Sequence, residues 1–266
     1  MRPFTRFLTA LALLSISLAS PALADFKKGM TAYDAGDYAT ALKAWRPLAE
    51  KGNTDAQYGL GLIYDSGKGV PQDNAEAARW YRKAAEQGLA SAQSNLGVLY
   101  AGGEGVKQDY VEAAQWYRRA AEQEYAMAQF NLGVLHEKGH GVKQDYAEAV
   151  HWYRRSAEQG DTDAQSNLGL LYATGQGVPQ SYAKAVRYYR MAAEQGDADA
   201  QGSLGLLYAN GQGAAKDPVQ AHLWLSLAAV QGDKSAAKER DLLTKKMTPD
   251  QLAQAHRLAR WWKPKQ

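Results

Sequence analysis

Three groups of residues have types and spacings that could do chemistry. Residues 136–140 match H-E-x-x-H, in which two histidines one helical turn apart bind zinc and the glutamate acts as a base. Residues 181–184 and 235–238 match S-x-x-K, the serine–lysine pairing of penicillin-recognising enzymes. Asp65 and Glu137 are a candidate carboxylate pair for an enzyme acting on cell-wall material. Whether any of these groups can act depends on the elements that position it.

A 36-residue period organises the chain after residue 53. Alanine recurs in phase at Ala56, Ala92, Ala128, Ala164 and Ala200. Leu60, Gly61 and Trp80 recur at the same step, except that Tyr188 takes the place of one tryptophan. Such self-similarity predicts a repeat protein in which each unit packs on its neighbours.

Each unit predicts two helices, which we name A and B. In one unit, residues 92–100 place apolar side chains on one face at helical spacing, which indicates an amphipathic helix A. Gly97 within it predicts a close approach by a neighbouring element, because a mid-helix glycine costs about 1 kcal/mol. A Gly-x-Gly loop at 103–105 ends helix A. Asp109 then caps helix B, whose buried stripe lies within residues 113–120.

This frame gives the reactive-looking residues structural positions. His136 falls at the end of a helix A and His140 in the following loop, so no zinc site is predicted. Ser181 occupies the capping position of Asp109, and nothing places a partner near Asp65 or Glu137, which lie two units apart. The Gly-x-Gly loops follow helices and lack a Walker-type lysine, so they are not predicted to bind phosphate. The sequence therefore predicts no catalytic residue, no metal and no cofactor.

The pattern A-x-x-x-L-G-x-x-Y-x-x-G-x-G-V followed by D-x-x-x-A-x-x-W-Y-x-x-A-A-E-Q-G resembles the Sel1-like repeat, a relative of the tetratricopeptide repeat. The resemblance covers residues 53–232. It departs where Glu124 replaces a terminal glycine, where His136 replaces a tyrosine, and where two alanines at 214–215 interrupt the last loop. The resemblance implies an all-α fold, a right-handed α-solenoid superhelix. Some members are discussed as binding β-lactams, but those are rich in cysteine and this chain has none.

The flanking segments differ from the repeats. Residues 1–24 combine two arginines, an apolar run and an Ala-Leu-Ala site, which predicts a cleavable signal peptide cut after Ala24 and a periplasmic or secreted protein. Residues 25–52 are interpreted as a degenerate first unit and residues 233–266 as C-terminal capping helices. Removing residues 1–24 lowers the formal net charge from +3 to +1, which does not favour nucleic-acid binding. After cleavage no membrane-spanning segment is predicted.

The A helices are expected to line the concave wall of the superhelix. Candidate partner-binding positions on them are Tyr58, Leu62, Asp65, Asn95, Val98, Phe130, Asn131, Val134, Glu137, Asn167 and Leu170. Two interpretations stay open for the apolar positions: they pack between units, or they form a groove for a peptide. The asparagines either hold a peptide or fix the spacing of units. Tyr58 and Phe130 are the stronger candidates, because sister units carry small residues there.

The predicted function is a non-enzymatic scaffold or regulator that binds a protein or peptide in this groove. The resemblance implies partners such as sensor or envelope proteins, secretion machinery or host proteins. The alternative is a cell-wall-acting hydrolase or a β-lactam-binding enzyme.

Overall fold

The computed structural model describes residues 21–265, and every regular element in that range is an α-helix. The helices are α1 (Pro21–Asp34), α2 (Tyr38–Glu50), α3 (Thr54–Ser66), α4 (Asn74–Glu86), α5 (Ala90–Gly102), α6 (Tyr110–Glu122), α7 (Ala126–Lys138), α8 (Tyr146–Glu158), α9 (Thr162–Thr174), α10 (Tyr182–Glu194), α11 (Ala198–Asn210), α12 (Pro218–Val230), α13 (Lys234–Thr244) and α14 (Pro249–Trp261). The all-α solenoid that the repeat predicts is confirmed.

From α1 to α13, each helix packs against its neighbours in the chain. Units 1 to 5 pair α3 with α4, α5 with α6, α7 with α8, α9 with α10 and α11 with α12, the first of each pair being helix A. The A helices α9 and α11 also contact each other directly. Beyond unit 5, α13 lies against α11 and α12, whereas α14 folds back onto α12.

The predicted signal peptide lies almost wholly outside the described residues. Its last four residues, 21–24, form the first turn of α1. Within residues 21–265 no helix combines the length and the apolar character needed to cross a bilayer.

In units 1 to 4 the mid-helix glycine of helix A lies under an aromatic ring, whereas in unit 5 it lies against Leu225. A Cβ added to Gly97 would lie 2.6 Å from the ring of Tyr117, and one added to Gly133 would lie 2.7 Å from the ring of Tyr153. The close neighbour predicted from Gly97 is therefore a side chain of helix B in the same unit. This contact fixes the rotation of helix B against helix A, because any larger residue at the glycine would push the ring away.

Polar contacts between units repeat with the same period. An arginine of helix B donates to the tyrosine hydroxyl that lies 18 residues later, on helix A of the next unit. The pairs are Arg46–Tyr64, Arg82–Tyr100, Arg154–Tyr172 and Arg190–Tyr208. These bonds join helix B of one unit to helix A of the next.

Candidate protein-binding surface

The A helices present one continuous surface, which we call the A wall: the outward faces of α3, α5, α7, α9 and α11. One row along it carries an aliphatic residue in every unit. Val98, Leu170 and Leu206 are 41%, 46% and 38% exposed, and Leu62 and Val134 are half-buried. Large aliphatic side chains that stay in contact with water at a fixed spacing form an apolar stripe that no other part of the described chain covers.

Tyr58 and Phe130 belong to a second row on the A wall, and both are half-buried. The ring of Tyr58 packs against Tyr81, with centroids 5.8 Å apart, and Phe130 packs against Tyr153 at 5.7 Å. Burial raises the pKa of the Tyr58 hydroxyl, while the nearby side chains of Ser91 and of Asn95 in the next unit act to lower it. Both rings therefore pack within and between units while keeping one part of their surface exposed.

The two candidate carboxylates on the A wall, Asp65 and Glu137, each have a hydrogen-bond partner. Asp65 accepts a hydrogen bond of 3.0 Å from the Tyr81 hydroxyl, and Glu137 accepts one from the Tyr153 hydroxyl. The expectation that nothing lies near either acid is therefore wrong, because the buried tyrosine of helix B extends between the helices to the acid of its own unit. Burial and the adjacent carboxylate raise the pKa of both tyrosine hydroxyls. The acids lie on α3 and α7, separated by unit 2.

The asparagines lie beside the same tyrosines. Asn95 is close enough to the Tyr81 hydroxyl, and Asn167 to the Tyr153 hydroxyl, to lower their pKa against the effect of burial. Asn131 holds the equivalent place on α7 and is half-buried, as the other two are. Asn95 and Asn167 thus lie close to a tyrosine of the preceding unit.

A depression interrupts the A wall at its C-terminal end. Gly202 occupies the position of Tyr58 and Phe130, and it lines a hollow of about 270 Å³. Leu206 lines it on one side, and the carboxylates of Asp199 and Asp233 line it on the other. The sequence did not predict this hollow, since a single glycine does not reveal which acids will border it.

The family model of the Sel1 repeat matches five consecutive segments of the chain, residues 54–89, 90–125, 126–161, 162–197 and 198–233. The chain belongs to the Sel1 repeat family. Proteins of this family generally act as protein-interaction scaffolds. The matched segments coincide with units 1 to 5 as described above.

Two solved Sel1-type structures share both sequence and fold with this chain. A Sel1 repeat protein from Oxalobacter formigenes is 38% identical, with a TM-score of 0.77, over 90% of this chain and 100% of that one. A protective antigen of uropathogenic Escherichia coli that displays an SLR fold is 36% identical, with a TM-score of 0.81, over 90% of this chain. This chain spans 53% of that antigen's length. No curated protein matches the sequence.

The Sel1 frame also places the reactive-looking residues. His136 is buried in the last turn of α7, whereas His140 lies beyond the C-cap Gly139, with its ring 4.7 Å from that of Tyr110. The two histidines are therefore not on one helical turn. Ser181 is the N-cap of α10, as its repeat position predicts. Within residues 21–265 no group of three or more His, Cys, Asp or Glu residues is arranged to hold a metal ion.

A buried glutamine ladder, which sequence reasoning missed, joins the Sel1 units. The glutamine that follows the phased alanine of helix A donates to the end of the preceding helix B, as Gln93 does to the Ala85 carbonyl at 3.0 Å. It accepts in turn from the glutamine that ends its own unit, as Gln93 does from Gln123 at 2.8 Å. The ladder members on helix A are Gln57, Gln93, Gln129, Gln165 and Gln201. The recurrence of these glutamines every 36 residues could have predicted the ladder, because a buried amide at a repeated position requires a repeated hydrogen-bond partner.

Proposed function

We propose that this Sel1 repeat protein is an exported, non-enzymatic scaffold that binds a segment of a partner protein along the A wall. The observation that supports it most directly is the exposed aliphatic row represented by Val98, Leu170 and Leu206. Water-exposed aliphatic residues repeating along a rigid solenoid suit an extended or helical peptide with apolar side chains at regular spacing.

The carboxylates on the A wall indicate which side chains the bound peptide should carry. Asp65 and Glu137 carry acceptor oxygens beside the aliphatic row, and Asp199 and Asp233 border the hollow at Gly202. Carboxylates that line an apolar groove favour a ligand with lysine or arginine side chains between its apolar ones. The proposed partner segment is therefore apolar and basic.

Export forms part of the proposal because of the first 24 residues. Their charged start, apolar run and Ala-Leu-Ala site have the order of a secretory signal peptide. Fractionation of the bacterial cell followed by N-terminal sequencing tests this, with Asp25 expected as the first residue of a periplasmic or secreted protein. A cytosolic protein that retains Met1 would contradict it.

Site-specific photo-crosslinking in the producing cell tests the binding surface. A photoreactive amino acid placed at Val98 or at Leu170 is expected to give discrete adducts with one protein species, identified by mass spectrometry. Both positions are exposed, so the substitution leaves the core unchanged.

The matched control is Arg79 on helix B of unit 1, which lines a larger depression of about 610 Å³ on the opposite wall. Adducts at Arg79 and none at Val98 or Leu170 would overturn the assignment to the A wall. Hydrolysis of peptidoglycan or a β-lactam by the purified protein, lost in Glu137→Gln or Ser181→Ala, would overturn the non-enzymatic proposal.

A further inference from the structure

The C-terminal helix is held in one orientation by contacts at both its middle and its end. Ala255 is buried, and the Trp262 ring packs edge-on against Trp224 of unit 5 with centroids 6.2 Å apart. Beyond it, the Lys265 backbone N–H donates to the Glu194 carbonyl at 2.7 Å, and its ammonium pairs with the Glu194 carboxylate at 2.6 Å. The end of α14 is therefore fixed against units 4 and 5.

Trp262 replaces a contact that other units make internally. In units 1 to 3 a cation three residues after the helix-B tryptophan covers its ring; these cations are Lys83, Arg119 and Arg155. In unit 5 this position holds Leu227, and Trp262 lies against Trp224 instead. The inward direction of Trp262 thus has a structural explanation.

Trp261 has no such explanation. It is 80% exposed, and together with Leu258, which is 38% exposed, it lines a shallow apolar depression of about 530 Å³ bordered by Arg257. A tryptophan has an apolar body and a polar N–H, and it is enriched where an apolar phase meets water. A fixed helix that turns this side chain outward points to a surface that receives it.

The charge around Trp261 differs in sign from that of the repeats. Residues 234–266 contain nine Lys or Arg and three Asp or Glu. Residues 25–233 contain 20 Lys or Arg and 25 Asp or Glu. From 251 to 265 there is no acidic residue, and Arg257, Arg260 and Lys263 accompany the exposed tryptophan. The segment that carries the apolar side chain is thus a basic cap on an otherwise acidic protein.

We propose that α14 and the residues after it form a docking surface for an anionic phospholipid bilayer, with Trp261 and Leu258 in the interfacial layer. Arg257, Arg260 and Lys263 then lie at the level of the lipid phosphates. A helix with basic and aromatic residues on its outer face binds such surfaces by combining apolar burial with attraction to anionic headgroups. This surface is separate from the A wall and would place the partner-binding scaffold at a membrane without a spanning segment.

Co-sedimentation of the mature chain with vesicles tests the proposal. Binding is expected with phosphatidylcholine vesicles containing about 30% phosphatidylglycerol, and not with phosphatidylcholine alone, because the surface charge drives it. Trp261→Ala is expected to weaken binding about tenfold. Arg257→Gln with Arg260→Gln is expected to weaken it about 25-fold, since each cation near an anionic surface contributes about a factor of five.

Two control variants match these changes elsewhere on the molecule. Lys43→Gln with Lys51→Gln removes the same charge from the opposite end, and Val111→Ala removes an exposed apolar side chain from α6. Both are expected to bind vesicles as the unaltered protein does. Trp261→Phe is expected to retain binding but to lose most of the quenching by brominated lipid, which reports contact between this ring and the bilayer.

Three results would overturn the proposal. They are no binding to anionic vesicles, equal binding to neutral ones, or losses in the α14 variants no larger than in the controls. A protein ligand whose binding requires Trp261, in the absence of any vesicle affinity, would assign the surface to an acidic protein instead. None of these outcomes affects the crosslinks expected from Val98 and Leu170, so the two proposals fail independently.

Discussion

The junction between units 2 and 3 differs from the other junctions of the array. Elsewhere an arginine of helix B donates to a tyrosine of the next helix A, as Arg154 does to Tyr172 at 3.0 Å. Between units 2 and 3 the tyrosine is replaced by His136, which is buried, and neither of its ring nitrogens has a hydrogen-bond partner within residues 21–265. Burial lowers the pKa of His136, the nearby Glu148 opposes that shift, and Arg118, at the position of Arg154, adds to it.

The same junction has a second substitution, at the glycine that normally ends a unit. Glu124 adopts a φ of +61°, in the left-handed region that favours glycine. Its carboxylate accepts hydrogen bonds from Arg155 and, at 2.9 Å, from Gln129. We call this arrangement the Glu124 clasp. Arg155 also lies over the Trp152 ring at 5.0 Å, so the clasp connects the loop before α7 to both helices of unit 3.

The comparison shows which positions of the repeat can change. A Cβ at the unit-ending Gly88 or Gly160 would meet nothing within 4 Å, so a side chain fits there if the backbone strain is accepted. The loop glycine has no such freedom: a Cβ at Gly141 would lie 2.2 Å from the backbone of Tyr110 in the preceding unit. Glu124 occupies a replaceable position, and Gly141, in the unit that follows, is retained.

The largest expected effect separates these two kinds of glycine. Gly141→Ala is expected to lower the free energy of unfolding by about 3 kcal/mol, because it combines left-handed strain with overlap of two backbones. Gly160→Ala, which adds only the strain, is expected to cost about 1 kcal/mol. Urea unfolding measures both. Equal losses would show that packing of the loop against the preceding unit does not distinguish the two positions.

Restoring the regular contact at His136 is the next test. His136→Tyr is expected to raise the free energy of unfolding by about 1 kcal/mol, since Arg118 gains the acceptor that Arg154 has. A double-mutant cycle tests whether this bond is the cause. Arg118→Ala is expected to change the free energy of unfolding little in the natural sequence, but to lower it by about 1 kcal/mol in the His136→Tyr background. Arg154→Ala with Tyr172→Phe provides the control cycle at a regular junction.

The pH dependence of this variant has a definite sign. Burial holds the pKa of His136 below its ordinary value of 6.5, so the unfolded chain binds the proton more readily than the folded protein does. The stability that depends on neutral His136 is complete above 6.5 and is lost as the pH falls through that value. The advantage of His136→Tyr is therefore expected to grow below pH 6.5. His222, whose pKa burial also lowers, contributes equally to both proteins. An advantage independent of pH would contradict this account.

The sequence predicted the features that depend on a residue's position within the 36-residue repeat. It missed those that depend on how helix B is rotated against helix A. Ser181 as a cap and His140 in a loop follow from their places in the 36-residue frame. The bond from Tyr81 to Asp65 does not, because it joins side chains 16 residues apart on two helices whose mutual rotation is set by the ring packing on Gly61. The Glu124 clasp joins residues 31 apart, and only the departure from glycine marked its position.

The smallest expected effect tests whether the Glu124 clasp offsets the strain beneath it. The hydrogen bonds from Arg155 and Gln129 hold the pKa of the Glu124 carboxyl below its ordinary value of 4.5. The clasp therefore stabilises the fold above that value and is lost as the pH falls through the lower folded pKa. Glu124→Gly removes the backbone strain and the clasp together, so its melting temperature is expected to differ little from that of the natural protein at about pH 7. It is expected to exceed it at a pH below the folded pKa of the Glu124 carboxyl.

Glu124→Ala keeps the strain and removes only the clasp. It is expected to melt below the natural protein at about pH 7 and together with it at a pH below the folded pKa of the Glu124 carboxyl, because the natural carboxylate is then protonated. If Glu124→Ala melts with the natural protein at both pH values, the clasp contributes nothing. The left-handed backbone at this junction is then held by the surrounding helices alone, in the way that Gly160 is held between α8 and α9.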